Sequence, residues 1–408
     1  MLLRELRGLA PIVLITGGLL SLFIYLASSG HIASSTGGYR DLVEYWAAYR
    51  LLGSDPYSPA DILQVQNQAG AGFDAPLMMW NPPWLPLLMP GLSLPFDQAC
   101  LVWRLTNVTL WLLSGVILGF AYRQRARSSI LPWLIFTTIS APALLNLQMG
   151  QMGSLLTFGA ALVIYGWAAQ LALTLGVGAL LLSVKPHIFI IFGVYFLVRL
   201  CIERRWAFAV IALMPIILVC GLTYLAYPAV IGHWLAAVQV PPEGAIDPRR
   251  WMTPTIGRWI DILLVWGGLN LGTVASKTIL LTGTAIGILI AQSKKLNHAA
   301  PAPALTALAV SILASPFSWS FDQMVLVLAQ VAVLSTLWES SESIVHRWTA
   351  LLAFAAINLI MLVQWVVFHA ELQYYFWFPI AQCILCVIFY PRPTSLAANQ
   401  TYRSYQKS

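Results

Sequence analysis

Apolar residues run along this chain in blocks that reach the ~20 residues a helix needs to cross the hydrocarbon of a bilayer. Short stretches of charged and polar residues separate them. The pattern predicts spans near 9–29, 97–122, 205–228, 272–292, 299–316, 320–338, 346–368 and 372–390. Arg4 and Arg7 precede the first block, which is too long for a signal-peptide core and reads as an uncleaved span. The segment 82–95 is apolar but carries four prolines, which suits an interfacial or re-entrant piece better than a regular helix. Between Ser128 and Arg199 the apolar run is interrupted at Gly150-Gln151 and at Lys185-Pro186, predicting four short helices.

Basic residues fix the sides. Arg123, Arg125 and Arg127, then Arg199, Arg204 and Arg205, then Lys294 and Lys295, then Arg392, Arg403 and Lys407 recur in connectors. Placed in the cytoplasm with Arg4, Arg7 and Arg347, they make up most of the 22 Lys and Arg residues, as the positive-inside bias requires. Parity then gives a working count of 12 crossings with both ends inside. The expected fold is an all-α polytopic bundle, one membrane-embedded domain over 1–390 with a cytoplasmic tail from 391 to 408. Two longer outer segments, about 30–96 and 229–271, form a cap, and the first holds amphipathic stretches at 41–53 and 59–69.

Composition agrees with this and removes other classes. The 408 residues are 59% hydrophobic and 9% charged, whereas soluble domains carry about 25% charged residues. The net charge of +7 lies mostly in connectors and does not imply nucleic-acid binding. Cys383 and Cys386 form a C-x-x-C inside an apolar span, where packing explains them better than redox chemistry. No metal-ligand or disulfide framework is suggested.

With the basic connectors inside, the polar residues that break or flank the apolar runs all fall at the outer edge: Asp41, Asn81, Gln148, Gln151, Lys185, His187, Ser318, Asp322, His369 and Glu371. Ionisable groups embedded in a membrane are costly and mark sites or pathways. An outward-open cavity accounts for the grouping; helix capping and exposed turns are the plainer alternative. Asp41, Glu44 and Tyr45 share one helical face, and Asp41 reads either as a functional carboxylate or as a favourable charge at a helix start. Lys185 and His187 supply cationic or donor groups, or Lys185 reaches lipid headgroups. Arg249, Arg250 and Arg258 lie on the outer side, suited to a phosphate or to headgroups. Gln148 and Gln151 bind hydroxyls or satisfy a turn. Asp322 acts in a site or caps a helix. Trp80, Trp84 and Trp319, beside the polar cluster, suit stacking on a sugar face, whereas most of the 17 tryptophans suit interfacial belts.

Asp41, Tyr45-Trp46-x-Ala48 and Leu52-Gly53-x-x-Pro56-Tyr57 resemble the first outer loop of glycosyltransferase family 87, membrane enzymes of the GT-C type. The resemblance continues through Asn81-Pro82-Pro83, where many members have Tyr-Pro-Pro, and through Gly150-Gln151 and Lys185-Pro186 to Ser315-Pro316-Phe317-Ser318-Trp319. It implies an inverting transfer of a sugar, mannose in many members, from a polyprenyl-phosphate donor to a lipid, glycan or protein acceptor. The setting it implies is the non-cytoplasmic face of a bacterial plasma membrane. Asp41 would be the base and Lys185 would face the donor phosphate; His187, as a cationic or donor group, and the outer arginines, by charge and side, are added to that set without a motif match. Glu44, Tyr45, Trp80, Asn81, Gln148, Gln151, Trp319 and Asp322 would line the substrate. Many members carry histidines soon after the Ser-Trp, whereas Ser320-Phe321-Asp322-Gln323 follows here, which leaves donor and acceptor preference open.

The chemistry is self-consistent. A lipid phosphate leaves readily, so the paired carboxylates of glycosidases are not needed. One carboxylate suffices as base, and positive charge stabilises the departing phosphate. No metal and no cofactor are expected. The competing reading is a transporter or flippase for a lipid-linked or small polar solute. Such proteins keep polar groups near the midplane and show paired repeats.

Overall fold

A computed structural model describes residues 41–123, 130–245, 252–269, 273–293, 302–368 and 372–390. Among these residues every regular element is helical and there is no strand. The expected span at 9–29, the basic residues Arg125, Arg127, Lys294 and Lys295, and the tail lie outside them.

Two short helices open the described chain, α1 (Leu42–Arg50) and α2 (Pro59–Gln68), followed by a single turn, α3 (Leu85–Leu88). The proline-rich 82–95 segment thus forms no long helix. It tucks Leu85, Met89 and Leu92 into the interior instead. Among the described residues four helices are long and apolar enough to cross a membrane: α4 (Phe96–Arg123, apolar over Phe96–Tyr122), α10 (Trp206–Ala226), α13 (Val274–Gln292) and α16 (Ile344–Val366). At 1.5 Å per residue, the 19 residues of α13 reach ~28 Å, close to the hydrocarbon thickness. These four coincide with predicted spans, and the chain is a helical membrane protein.

The remaining helices are shorter. Between 131 and 202 the chain forms α5 (Leu131–Thr137), α6 (Ala141–Met149), α7 (Gly153–Ala168), α8 (Ala172–Leu182) and α9 (Ile190–Ile202), five helices rather than four. The extra break falls at Ser140, whose hydroxyl accepts from the Ala143 N–H while Pro142 occupies the first turn. Next come α11 (Val230–Gln239), α12 (Ile256–Trp266), α14 (Ala302–Leu313), α15 (Val327–Glu339) and α17 (Trp377–Phe389). In the predicted spans 299–316, 320–338 and 372–390 the α-helices are shorter than expected. The first is a 12-residue helix, and the other two are 13-residue helices, each led by a 3-10 turn. No α-helix of the three reaches the membrane thickness alone, but with their 3-10 turns the stretches ending in α15 and α17 reach about 29 Å. Protein, not lipid, surrounds α15, where Leu328, Val331, Leu334 and Leu337 are fully or almost fully buried, so its length answers to packing.

Two ends of the bundle are chemically distinct. At one, Arg205 pairs with Glu203 and with Gln170 of the α7–α8 connector, and Arg199 reaches the Ala291 carbonyl at the end of α13. At the opposite ends of these same helices lie the Gly150-Gln151 and Lys185-Pro186 breaks. Helices α7 and α8 approach until backbones touch: a Cβ on Gly178 would stand 2.6 Å from the Gly159 carbonyl oxygen, the close contact that small residues allow between membrane helices. Gly193 on α9 has nothing within 4 Å of its Cβ position. Gly178→Val is expected to cost about 1–3 kcal/mol by overpacking, while Gly193→Ala leaves stability at or slightly above the parent; thermal unfolding in detergent compares them.

Candidate functional site

The turn between α6 and α7 presents the first functional side chain. Gly150 ends α6 with φ 72°, left-handed backbone that glycine adopts without strain. Its carbonyl accepts from the Trp103 indole at 2.8 Å. Asn146 closes the turn: its backbone carbonyl accepts from the Gln151 N–H at 3.2 Å and its Oδ1 from the Gly153 N–H at 2.6 Å. The Asn146 amide donates to Asn107 and Ser154. Nothing in the spacing singled out Asn146, Asn107 or Trp103, although a polar residue one turn before a Gly-Gln break is a signal that could have been weighed.

Gln151 faces α1. Its Nε2 donates to Asp41 Oδ2 at 2.9 Å, and its Oε1 accepts from the Tyr45 hydroxyl at 2.7 Å. The backbone N–H of Asp41 donates to the Met149 carbonyl at 3.2 Å, so both main chain and side chain of Asp41 are tied to the α6–α7 turn. Asp41 occupies the cap position of α1 yet makes no capping bond with its carboxylate. Glu44, partly exposed on the same face, has its carboxyl pushed up to about 8, first by burial and then by the Asp41 charge; Tyr45 and Lys185 pull it down. Burial and Glu44 push the Tyr45 hydroxyl well up, so it stays a donor.

The second centre comes from the α8–α9 break. Pro186 biases Lys185 away from helical backbone, and Lys185 adopts φ −135°, ψ 64°. Its ammonium meets Asp322 Oδ1 at 2.8 Å, with Lys185 6% and Asp322 0% exposed. Asp322 Oδ2 accepts from the Trp319 N–H at 2.9 Å, and the Phe321 ring lies 5.0 Å from the ammonium. The Asp322 side chain is therefore an ion-pair partner, not merely a cap. His187 departs from the cationic reading: burial first, then the Lys185 charge, push its imidazole down to about 4 against the pull of Asp322. It is neutral at pH 7, its Nε2 meets no partner among the described residues, and its ring packs edge-on to Phe317.

The two centres act on one another electrostatically. Lys185 stabilises the ionised Glu44 carboxyl, and Asp322 acts on Tyr45. Asn81 joins the same assembly, donating from Nδ2 to the Val184 carbonyl at 2.9 Å, one residue before Lys185. Trp80 accepts through its carbonyl from the Trp234 indole, while Gln148 sits half-buried on the last turn of α6 and Trp319 beside Phe317 and Phe321. Arg258 lies in the first turn of α12, its guanidinium making no hydrogen bond to a described residue; Gln323, next to Asp322, reaches the Pro254 carbonyl at 3.4 Å. Arg249, Arg250, His369 and Glu371 lie outside the described residues. Among the described residues no group of His, Cys, Asp and Glu is arranged to hold a metal.

An apolar groove of about 330 Å³ runs from Ser183 and Pro186, which flank Lys185 in the sequence, along α9 past Phe189, Phe196 and Leu200 against Ala212 of α10. A carboxylate aimed by an amide, a buried ammonium and an apolar groove that begins at the same chain break are features an amphiphile with a polar head could use. Compared with family profiles, curated proteins and solved structures, the chain matches none.

The raised Glu44 pKa has a sign that can be measured. A carboxyl that holds its proton more tightly when folded contributes stability that is complete below its ordinary value of 4.5 and is lost as the pH rises to about 8. Glu44→Gln is expected to flatten that decline between the two values and to be more stable than the parent above pH 8, read from unfolding midpoints across pH.

Proposed function

We propose that this chain is an inverting glycosyltransferase of the family 87 type that uses a polyprenyl-phosphate sugar, mannose in the first instance. A hydroxyl of a lipid, glycan or protein acceptor attacks the anomeric carbon. Its O–H proton passes to Asp41, the new C–O bond forms on the sugar face opposite the phosphate, and the bond from the anomeric carbon to the phosphate oxygen breaks, its electron pair leaving on the lipid phosphate. The observation that carries this reading is the Asp41 carboxylate, excused from helix capping and aimed by Gln151 beside a buried Lys185–Asp322 pair.

The other residues take roles consistent with that step. Asp322 occupies one of the three donors of the Lys185 ammonium, so the remaining two are offered to the donor phosphate. Arg258, whose Nε has no hydrogen-bond partner among the described residues, adds charge, and Arg249 and Arg250 join it in the proposal on grounds of charge and side alone. Trp80, Asn81, Gln148 and Trp319 are assigned to sugar and acceptor contacts. Tyr45 and Gln151, given to substrate in the sequence reading, are assigned instead to orienting Asp41. The groove along α9 suits the hydrocarbon tail, with the phosphate at its Lys185 end. The wider frame we propose has 12 crossings with both ends cytoplasmic, in a bacterial plasma membrane with the site outside.

Asp41→Asn keeps an oxygen for the Gln151 amide, so the protein should stay folded while transfer from labelled polyprenyl-phosphate sugars falls about 10²–10⁴-fold. Transfer at the parental rate in folded Asp41→Asn protein would remove Asp41 from the mechanism. Gly193→Phe fills open space in the groove; it is expected to raise KM for long-chain donors and to spare a short-chain analogue.

A further inference from the structure

A second concavity lies away from Asp41, between the loop after α1 and helix α11. It is a cleft of about 350 Å³ lined by Asp55, Tyr57, His233, Ala236, Gln239 and Val240. Its volume stands at the low end of small-molecule sites, which begin near ~300 Å³, room for one ring-sized group. Asp55 Oδ1 accepts from the Tyr57 N–H at 2.9 Å and faces His233 Nδ1 at 3.3 Å, and the Asp55 and His233 side chains are each 38% exposed. Asp55 Oδ2 makes no hydrogen bond to a described residue. Polar groups therefore sit at the cleft as an acceptor (Asp55) beside groups able to donate (His233, Gln239), with an apolar wall from Ala236 and Val240.

We propose that this cleft binds a carbohydrate ring of the acceptor. The chemistry selects a neutral polyol. The carboxylate of Asp55 repels an anion such as phosphate, while an acceptor beside donors over an apolar wall matches a ring with hydroxyls on its rim and C–H groups on its face. The cleft is also coupled to the site. The Tyr57 hydroxyl donates to the Asn81 carbonyl at 2.8 Å, and the Asn81 amide donates to the Val184 carbonyl at 2.9 Å, adjacent to Lys185. Helix α11 is held to the same loop by the Trp234 indole on the Trp80 carbonyl and by the edge-on Trp84–Trp234 pair at 5.7 Å. The acceptor role rests on the transferase reading; the binding of a polyol does not.

Saturation-transfer NMR on the full chain in detergent tests it, with methyl α-mannopyranoside, methyl α-glucopyranoside and myo-inositol as probes and inorganic phosphate as competitor. At least one polyol should bind the parent and the Asp41→Asn protein alike and resist phosphate. Ala236→Trp, at an exposed cleft position, should abolish that binding without loss of fold, and Asp55→Ala should weaken it about tenfold, the loss of one hydrogen bond to a charged group. No binding by any of the three, undiminished binding to Ala236→Trp, or displacement by phosphate would each overturn the proposal. Loss of transfer is scored separately with Asp41→Asn, so failure of the transferase reading and failure of the cleft are told apart.

Discussion

The ammonium of Lys185 and the carboxylate of Asp322 meet at 2.8 Å with almost no solvent, across 137 residues of sequence. Two charges taken out of water repay their desolvation only when geometry and further hydrogen bonds are good, and removing one partner alone costs about 3–5 kcal/mol. The surroundings meet that demand. Pro186 turns the backbone so that Lys185 leaves α8, the Trp319 N–H occupies the second Asp322 oxygen, and Phe321 lies against the ammonium. The short helices around it follow from the same requirement. A chain that must bring a break at 185 to a break at 322 cannot run straight through both, and α8, α9, α14 and α15 all stop or start at this level.

Beside the pair stands a second polar knot in which each member is fixed by another. Asn146 shapes the turn, the turn presents Gln151, and Gln151 holds Asp41, whose backbone is tied to Met149. Few of these bonds are local to one helix. The knot keeps α1, which would be marginal as an isolated nine-residue helix, seated on the bundle. A proposed base mounted on so short an element gains its precision from the helices beneath it.

The sequence carried a good part of this picture. The four long helices were legible because lipid imposes both length and composition on a helix it surrounds. The shortness of the 12- and 13-residue helices α14, α15 and α17 is not legible, because an apolar run buried in protein looks the same as one in lipid. The breaks at Gly150 and Lys185 were visible as residues; what they contact was not. Asp322 as the partner of Lys185 depends on a juxtaposition across 137 residues that periodicity cannot supply. The neutrality of His187 follows first from burial, which its sequence neighbours do not convey, and then from Lys185 two positions before it. The Asp55–His233 contact joins the two outer segments of the cap, and no spacing rule links them.

The amide of Gln151 has a consequence for traffic. With the Tyr45 hydroxyl on its oxygen and Asp41 on its nitrogen, it cannot turn over without setting its oxygen against the Asp41 carboxylate, acceptor against acceptor. A carboxamide does not hand a proton along at ordinary pH. Gln151 therefore passes orientation to the Asp41 carboxylate without relaying a proton: in the proposed transfer, a proton taken up by Asp41 does not leave through this amide.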